Sequence, residues 1–218
     1  MRVVCVSDTH NRHADLEVPD GDLLVHAGDI TRHGEREDVA SLDAWLGALP
    51  HRHKVVIAGN HDFLFQNEPP AARRLLRNAT YLEDSGTTLD GLRIWGSPWQ
   101  PWFFDWAFNL RRGEPLRKKW DLIPEGTDVL VTHGPPHGIL DQVKKVTSKA
   151  IGLVTGQGDH VGCEELLAAV TRLRPRLHVF GHIHEAYGVV ERDGTTFVNA
   201  SSCDLGYRPV NAPVVVDL

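Results

Sequence analysis

Short apolar runs recur along the chain, and each stops at polar residues instead of continuing into a longer hydrophobic stretch. Val3–Ser7, Leu23–Ala27, Val55–Ala58, Val129–Thr132 and His178–Phe180 are too short for helices and read as buried strands. Between them lie segments of helical character: Glu35–Leu49, Pro70–Asn78, Glu114–Asp121 and Glu164–Leu173. In the first of these, Val39, Leu42, Trp45, Leu46 and Leu49 keep the three-and-four spacing of a helix that lays one face on a sheet. Alternating strands and helices predict an α/β layered fold. The last third changes period. Gly188–Ala200 alternates about Asp193-Gly194, a hairpin signal, and Val214–Val216 adds a closing strand, so two sheets are expected. No repeat or Pro/Gly-rich linker divides the chain, and one domain over residues 1–218 is expected.

Composition narrows this picture. With 218 residues, 41% of them hydrophobic, the chain has enough apolar material for a sizeable core, which excludes a disordered polymer. No apolar run reaches the roughly 18 residues of a membrane span, and Met1–Val6 lacks the layout of a signal peptide. Cys5, Cys163 and Cys203 show no CxxC spacing and suggest reduced thiols, so a cytoplasmic protein is expected. A net charge of −6 disfavours long nucleic acid as a partner. Thirteen histidines against six lysines is the anomaly, because histidine serves mainly as acid, base or metal ligand near neutral pH.

Position relative to the strands gives part of that surplus a use. Asp8-Thr9-His10 follows the first strand, Gly28-Asp29 the second and Gly59-Asn60-His61-Asp62 the third. Thr132-His133-Gly134 follows the fourth and Gly181-His182-Ile183-His184 the fifth. Ligands of α/β sheets bind beyond the carboxyl ends of strands, so these scattered residues should meet in one crevice. Two carboxylates, four imidazoles and one amide oxygen, without a thiolate, suit Mn, Fe, Zn or Co and argue against an iron–sulfur or structural zinc site. Seven ligands exceed one tetrahedral ion. With Asp29 bridging, they can serve two ions that share a hydroxide, the arrangement for two-metal hydrolysis of a phosphate ester.

In this order the five motifs resemble those of the calcineurin-like metallophosphoesterase superfamily. Within it, the chain is similar to the small metallophosphoesterase-domain-containing group. Further stretches that carry the likeness are Trp45-Leu46-Gly47, Val56-Ile57-Ala58-Gly59-Asn60-His61, Pro98-Trp99, Thr132-His133-Gly134-Pro135-Pro136 and Leu177-His178-Val179-Phe180-Gly181. The resemblance implies a four-layer α-β-β-α sandwich with two mixed β-sheets. It also implies a dinuclear centre: Asp8, His10, Asp29 and His184 on one ion, and Asp29, Asn60, His133 and His182 on the other. His61 would steady a phosphoryl oxygen or protonate the leaving group, and Asn60 would also touch substrate. Manganese is the expected metal, with Fe, Zn, Co and Mg as alternatives.

The expected activity is hydrolysis of small, nucleotide-like phosphodiesters, including cyclic nucleotides, by in-line attack of a bridging hydroxide. The alternatives are a phosphomonoesterase on nucleotides or other metabolites and a metal-bound regulatory protein with weak catalysis. Protein phosphatase activity is disfavoured, because Ile30-Thr31-Arg32-His33 stands where that branch carries Val-Asp-Arg-Gly. Trp99 is the candidate substrate wall within an aromatic run from Trp95 to Phe108, and Arg12 and Arg32 are candidate phosphate clamps. Asp62 reads as a helix cap, His26 as support for the Asp29 motif, and His178 as a satisfied core residue. His51 and His53 read as solvated, His13 and His137 as surface loop residues, and Asp141–Val161 as a lid. The partner is a small phosphoester; a homodimer is left open.

Overall fold

The computed structural model describes residues 1–143, 147–148, 153–154 and 159–218. The expected lid over Asp141–Val161 lies in part outside the described residues.

Two mixed sheets carry the structure. In the first, the parallel strands Arg2–Val6, Leu23–His26, His53–Val56 and Thr80–Tyr81 lie in chain order, and Val214–Asp217 pairs antiparallel with the first of them. The second sheet has a parallel centre of Thr195–Asn199, Leu177–Phe180, Val129–Thr132 and Leu92–Ser97. Gly188–Arg192 and Ser85–Leu89 flank it as antiparallel edges.

Alternation along the strands builds the layers. Val3, Cys5, Leu23, Val25, Val55 and Ile57 of the first sheet meet Ile94, Val129, Val131, Leu177, Val179 and Val198 of the second in one buried core. The intervening residues face outward. Val4, Val6, Leu24 and Val56 pack beneath helix α1 (Arg36–Ala48) through its Val39, Leu42 and Leu46, and beneath α2 (Phe63–Asn67) and α3 (Pro69–Leu75). On the far side Leu130, Phe180 and Phe197 pack under α4 (Glu114–Trp120) and α5 (Glu164–Leu173). The result is the expected four-layer α-β-β-α sandwich. Strand interiors apolar on both faces explain why the sequence showed runs in place of alternation.

Three local expectations need correction. The Pro70–Asn78 helix is displaced, because Asp62 starts a helix that Glu68 ends and Pro69 opens the next one, which closes at Leu75. The hairpin Ser85–Leu89/Leu92–Ser97 was missed, although Asp90-Gly91 is a hairpin turn; its first strand, Ser-Gly-Thr-Thr-Leu, offers no apolar run. His51 is buried, 2% exposed, and only His53 of that pair reaches a surface partner, Asp90, at 3.0 Å. No helix among the described residues is long and apolar enough to cross a membrane. The three cysteines are free and buried.

Candidate metal centre

All seven proposed ligands come together at the carboxyl ends of the parallel strands. Three overlapping groups of side chains place their donor atoms within 4.8 Å of one another: Asp8, His10 and His184; His10, Asp29 and His61; and Asp29, His133 and His182. Asn60 joins the third, its Oδ1 2.9 Å from His133 Nε2. Asp29 belongs to two of the groups. Its Oδ1 lies 3.3 Å from His133 Nε2, and its Oδ2 lies 3.7 Å from His10 Nε2 and 3.9 Å from His61 Nε2.

The main chain aims the histidines. Nδ1 of His10, His61, His133 and His184 lies 3.3, 2.7, 2.9 and 3.0 Å from the carbonyl oxygens of Thr31, Arg32, Ala27 and Asp204. A carbonyl accepts, so each Nδ1 donates and each Nε2 is left to face the cluster. Nε2 of His10 and His184 then meet at 3.3 Å, and His133 Nε2 meets the Asn60 amide oxygen at 2.9 Å. Lone pairs opposed in this way repel unless a proton or a cation sits among them. This donor set fits divalent cations bound through nitrogen and oxygen.

Without a metal, protons take that place. Burial opposes charge on His133 and His184, but the Asp29 and Asp8 carboxylates override it and hold both imidazoles up at about 9. Burial likewise opposes ionisation of Asp8 and Asp29, yet His184 and His133 keep both carboxyls well below the usual range. Burial lowers His10 to about 4 and His182 to about 3, so both are neutral at pH 7.

Close packing leaves no slack around these groups. A Cβ on Gly181 would stand 2.0 Å from Asp8 Oδ2, and one on Gly59 would stand 2.3 Å from the Asp29 backbone nitrogen and Oδ1. Only glycine lets these loops approach so near. Asp8 further accepts from the His182 backbone N–H and the Ser201 hydroxyl.

Asp62 occupies the N-cap position of α2, but its carboxylate makes no cap bond. It accepts instead from the N–H groups of Gly59, Ile30 and Thr31 and from the Thr31 hydroxyl, tying the Asn60 loop to the Asp29 loop. Burial, then the like charge on Asp29, push its carboxyl up to about 6. His26 supports the same loop, as expected: its Nδ1 accepts from the Gly28 N–H at 3.3 Å and its Nε2 lies 3.0 Å from Thr9 Oγ1. His178 reaches Thr132 Oγ1 at 2.9 Å through Nε2, while its Nδ1 has no partner among the described residues, so it is only half satisfied.

Other candidates lie elsewhere. Trp99 donates from its indole N–H to Asp84 and carries Lys119 over its ring, and Arg12 pairs with Asp15 at 2.7 Å. The tryptophan against the cluster is Trp106, whose ring lies 4.2 Å from that of His61. His13 is buried against Ser41 and Trp45, not on the surface. His137 stands near the buried Asp141, which also holds His160. Sequence reasoning missed Ser201, Asp204, Tyr207 and Trp106. The strand-end rule applied to Thr195–Asn199 would have reached Ser201; Trp106 lies in the aromatic run where Trp99 was preferred, and no motif marks Asp204 or Tyr207.

This fold, with imidazoles and carboxylates converging at its strand ends, is that of a metal-dependent phosphoester hydrolase. The chain belongs to the calcineurin-like phosphoesterase family, whose model matches residues 1–186. It is 48% identical to human metallophosphoesterase domain-containing protein 1 over 241 residues, covering all of this chain and 71% of that protein. A UPF0046 protein of Caenorhabditis elegans is 38% identical over 99% of this chain and 74% of its own length. These relatives bear out the resemblance to the small metallophosphoesterase-domain-containing group. Among solved structures, a protein of Thermus thermophilus superposes with a TM-score of 0.57 at 12% identity, covering 91% of this chain and 88% of that one. Phosphopantetheinyl hydrolase of Mycobacterium tuberculosis superposes at 0.53 and 16% identity over the same shares. Both are likenesses of fold.

Proposed function

We propose that the chain, as one domain over residues 1–218, hydrolyses small phosphodiesters of nucleotide size at a dinuclear metal centre. The observation that carries this reading is the convergence of donor atoms that need a shared proton or cation between them, Nε2 of His10 with His184 and of His133 with Asn60 Oδ1, around the Asp29 carboxylate. Asp8, His10, Asp29 and His184 would hold one ion, and Asp29, Asn60, His133 and His182 the other. When bound, the ions supply positive charge to phosphoryl oxygens and make water nucleophilic at neutral pH; manganese is the first choice.

The chain's own groups do the rest. Asp29 holds both halves of the cluster in register. His61, fixed through Nδ1 by the Arg32 carbonyl and braced by Trp106, turns Nε2 toward the centre, where it can hydrogen-bond a phosphoryl oxygen or hand a proton to the leaving oxygen. An apolar cavity of about 380 Å³, lined by Pro101, Trp102, Phe103, Pro135, Ile183 and Leu205, reaches His182 and suits the organic part of a substrate. The net charge of −6 favours a small substrate over long nucleic acid, and buried reduced cysteines suit the cytoplasm.

The test is a substrate panel with added Mn²⁺: bis-p-nitrophenyl phosphate, p-nitrophenyl phosphate and the two isomeric classes of cyclic nucleotide. Faster turnover of the diesters is expected. Preference for the monoester would transfer the reading to a phosphomonoesterase, and no turnover with less than one metal per chain would end it.

Metal uptake should also release protons. His133 and His184 are protonated at pH 7 and must lose that proton to ligate, so saturation with Mn²⁺ at pH 7 should expel about two protons per chain. Apparent affinity should therefore rise with pH through about 9 and level off above it, once both imidazoles are neutral. Calorimetry in buffers of different ionisation enthalpy measures the count, and binding without proton release would contradict these ligands.

A further inference from the structure

The two loops that follow the first two strands each offer one arginine, and the structure treats them differently. Arg12 has its charge answered by Asp15, 2.7 Å from its Nε. Arg32 is exposed, makes no ion pair among the described residues, and lies with Cζ 5.2 Å from the centre of the Tyr207 ring. That ring stands against the cluster, its centroid 4.6 Å from the ring of His10, 6.1 Å from His61 and 6.3 Å from His184. We propose that Arg32, seated on Tyr207, is an anion subsite at the mouth of the metal centre and takes the non-bridging oxygens of the substrate's phosphoryl group.

Several features hold this pair in place without neutralising it. The Arg32 carbonyl accepts from His61 Nδ1 at 2.7 Å, so the main chain that carries the guanidinium is tied to the centre. Tyr207 sits in a left-handed conformation, φ 57°, and its N–H donates to the Asp204 carbonyl. The same carbonyl accepts from His184 Nδ1, and the Asp204 carboxylate binds the N–H groups of Gly206 and Arg208. Tyr207 is therefore positioned by a loop locked to one of the proposed ligands. An aromatic face can hold a guanidinium while leaving its in-plane N–H edges free, and those edges match two phosphoryl oxygens. Tyr207 lies beyond residue 186, where the match to the family model ends, so this subsite combines a family loop with a segment outside that match.

The inference rests on the phosphoesterase reading, and the test separates the two. Inorganic phosphate is titrated calorimetrically into Mn²⁺-loaded protein, with Mn²⁺ stoichiometry measured alongside. Arg32→Ala should weaken phosphate about 10- to 100-fold, the loss expected for a charge-assisted hydrogen-bonding pair, with Mn²⁺ uptake unchanged. Arg32→Lys should recover only part, because it keeps the charge and loses the fork. Tyr207→Phe should bind as the unaltered protein does, whereas Tyr207→Leu should fall toward Arg32→Ala. Arg36→Ala, which removes a cation already paired with Glu68, should leave phosphate affinity unchanged. With the best ester of the panel, Arg32→Ala should raise KM by the same factor and change kcat less. Normal Mn²⁺ uptake with phosphate affinity within about twofold in Arg32→Ala, or with no phosphate binding by the unaltered chain, would overturn the subsite alone. Failure of the unaltered chain to take up Mn²⁺ would overturn the metal reading and the subsite with it.

Discussion

Asp29→Ala is expected to lower turnover by at least about 10³-fold and to remove at least one of two bound metals while leaving the chain folded. Both oxygens of this carboxylate are engaged. Oδ1 accepts from the His61 N–H at 2.9 Å and faces His133, and Oδ2 faces His10 and His61. No other side chain touches both proposed ion sites in this way among the described residues. The core between the sheets does not include Asp29, so circular dichroism should stay native. Asp29→Asn keeps size and conformational tolerance and removes only the charge, so it should lose metal nearly as severely if charge is what matters. Metal analysis and kcat measure both; near-normal turnover of Asp29→Ala would exclude a bridging role.

The same substitution has a signature in metal-free protein. Asp29 has a lowered folded pKa, so its contribution is present above the unfolded value near 4 and lost as pH falls through the folded one. His133 has a raised folded pKa, so its contribution is fully present below the unfolded value near 6.5 and lost as pH rises through about 9. In chelator, the stability deficit of Asp29→Ala should therefore be largest between about pH 4 and 6.5 and fade above about 9. Thermal melts across that range show whether it does.

Asp62→Ala should cause the largest loss of stability among single changes near the site. It strands three buried donors, the N–H groups of Gly59, Ile30 and Thr31, and leaves the Thr31 hydroxyl with only the His61 carbonyl at 3.3 Å as acceptor. An unsatisfied buried donor costs about 1–3 kcal/mol, and allowing for relaxation the total is about 3–5 kcal/mol. For a chain of this size that corresponds to a fall in Tm of roughly 6–20 °C. Activity should fall as well, because the two loops so joined deliver Asp29 and Asn60. A Tm within about 2 °C of the unaltered protein would show that the loops hold without this tie.

Much of the centre was legible in the sequence because each proposed ligand sits directly after a strand that announces itself as an apolar run. Asp8, Asp29, Asn60, His133, His182 and His184 needed only the rule that binding occurs beyond strand ends, and their order fixed the family. The roof was not legible. Residues 203–209 have neither periodicity nor apolar runs, and Tyr207 meets His10 through a loop whose shape is set by Asp204 bonding to its neighbours. The aromatic run from Trp95 to Phe108 misled for a related reason. Residue type showed a cluster but not the direction of each ring, and Trp99 turns to Asp84 and Lys119 while Trp106 turns to His61. His51 and His13 looked solvated because turns are usually exposed; each is buried by a neighbouring segment that local sequence does not reveal.

The backbone at the proposed ligands is itself unusual: Asp8, His10, Asp29 and His182 all have positive φ, between 41° and 68°. Aspartate, asparagine and histidine tolerate that region better than most residues, and they are also oxygen and nitrogen donors. Conformation and coordination thus select the same residue types at these four positions. Re-specifying the metal by ligand exchange, for example bringing in cysteine to favour softer ions, therefore meets a steric penalty before any question of affinity arises. Altering metal preference in this scaffold calls for rebuilding the loops behind the ligands and cannot be reached by swapping side chains alone.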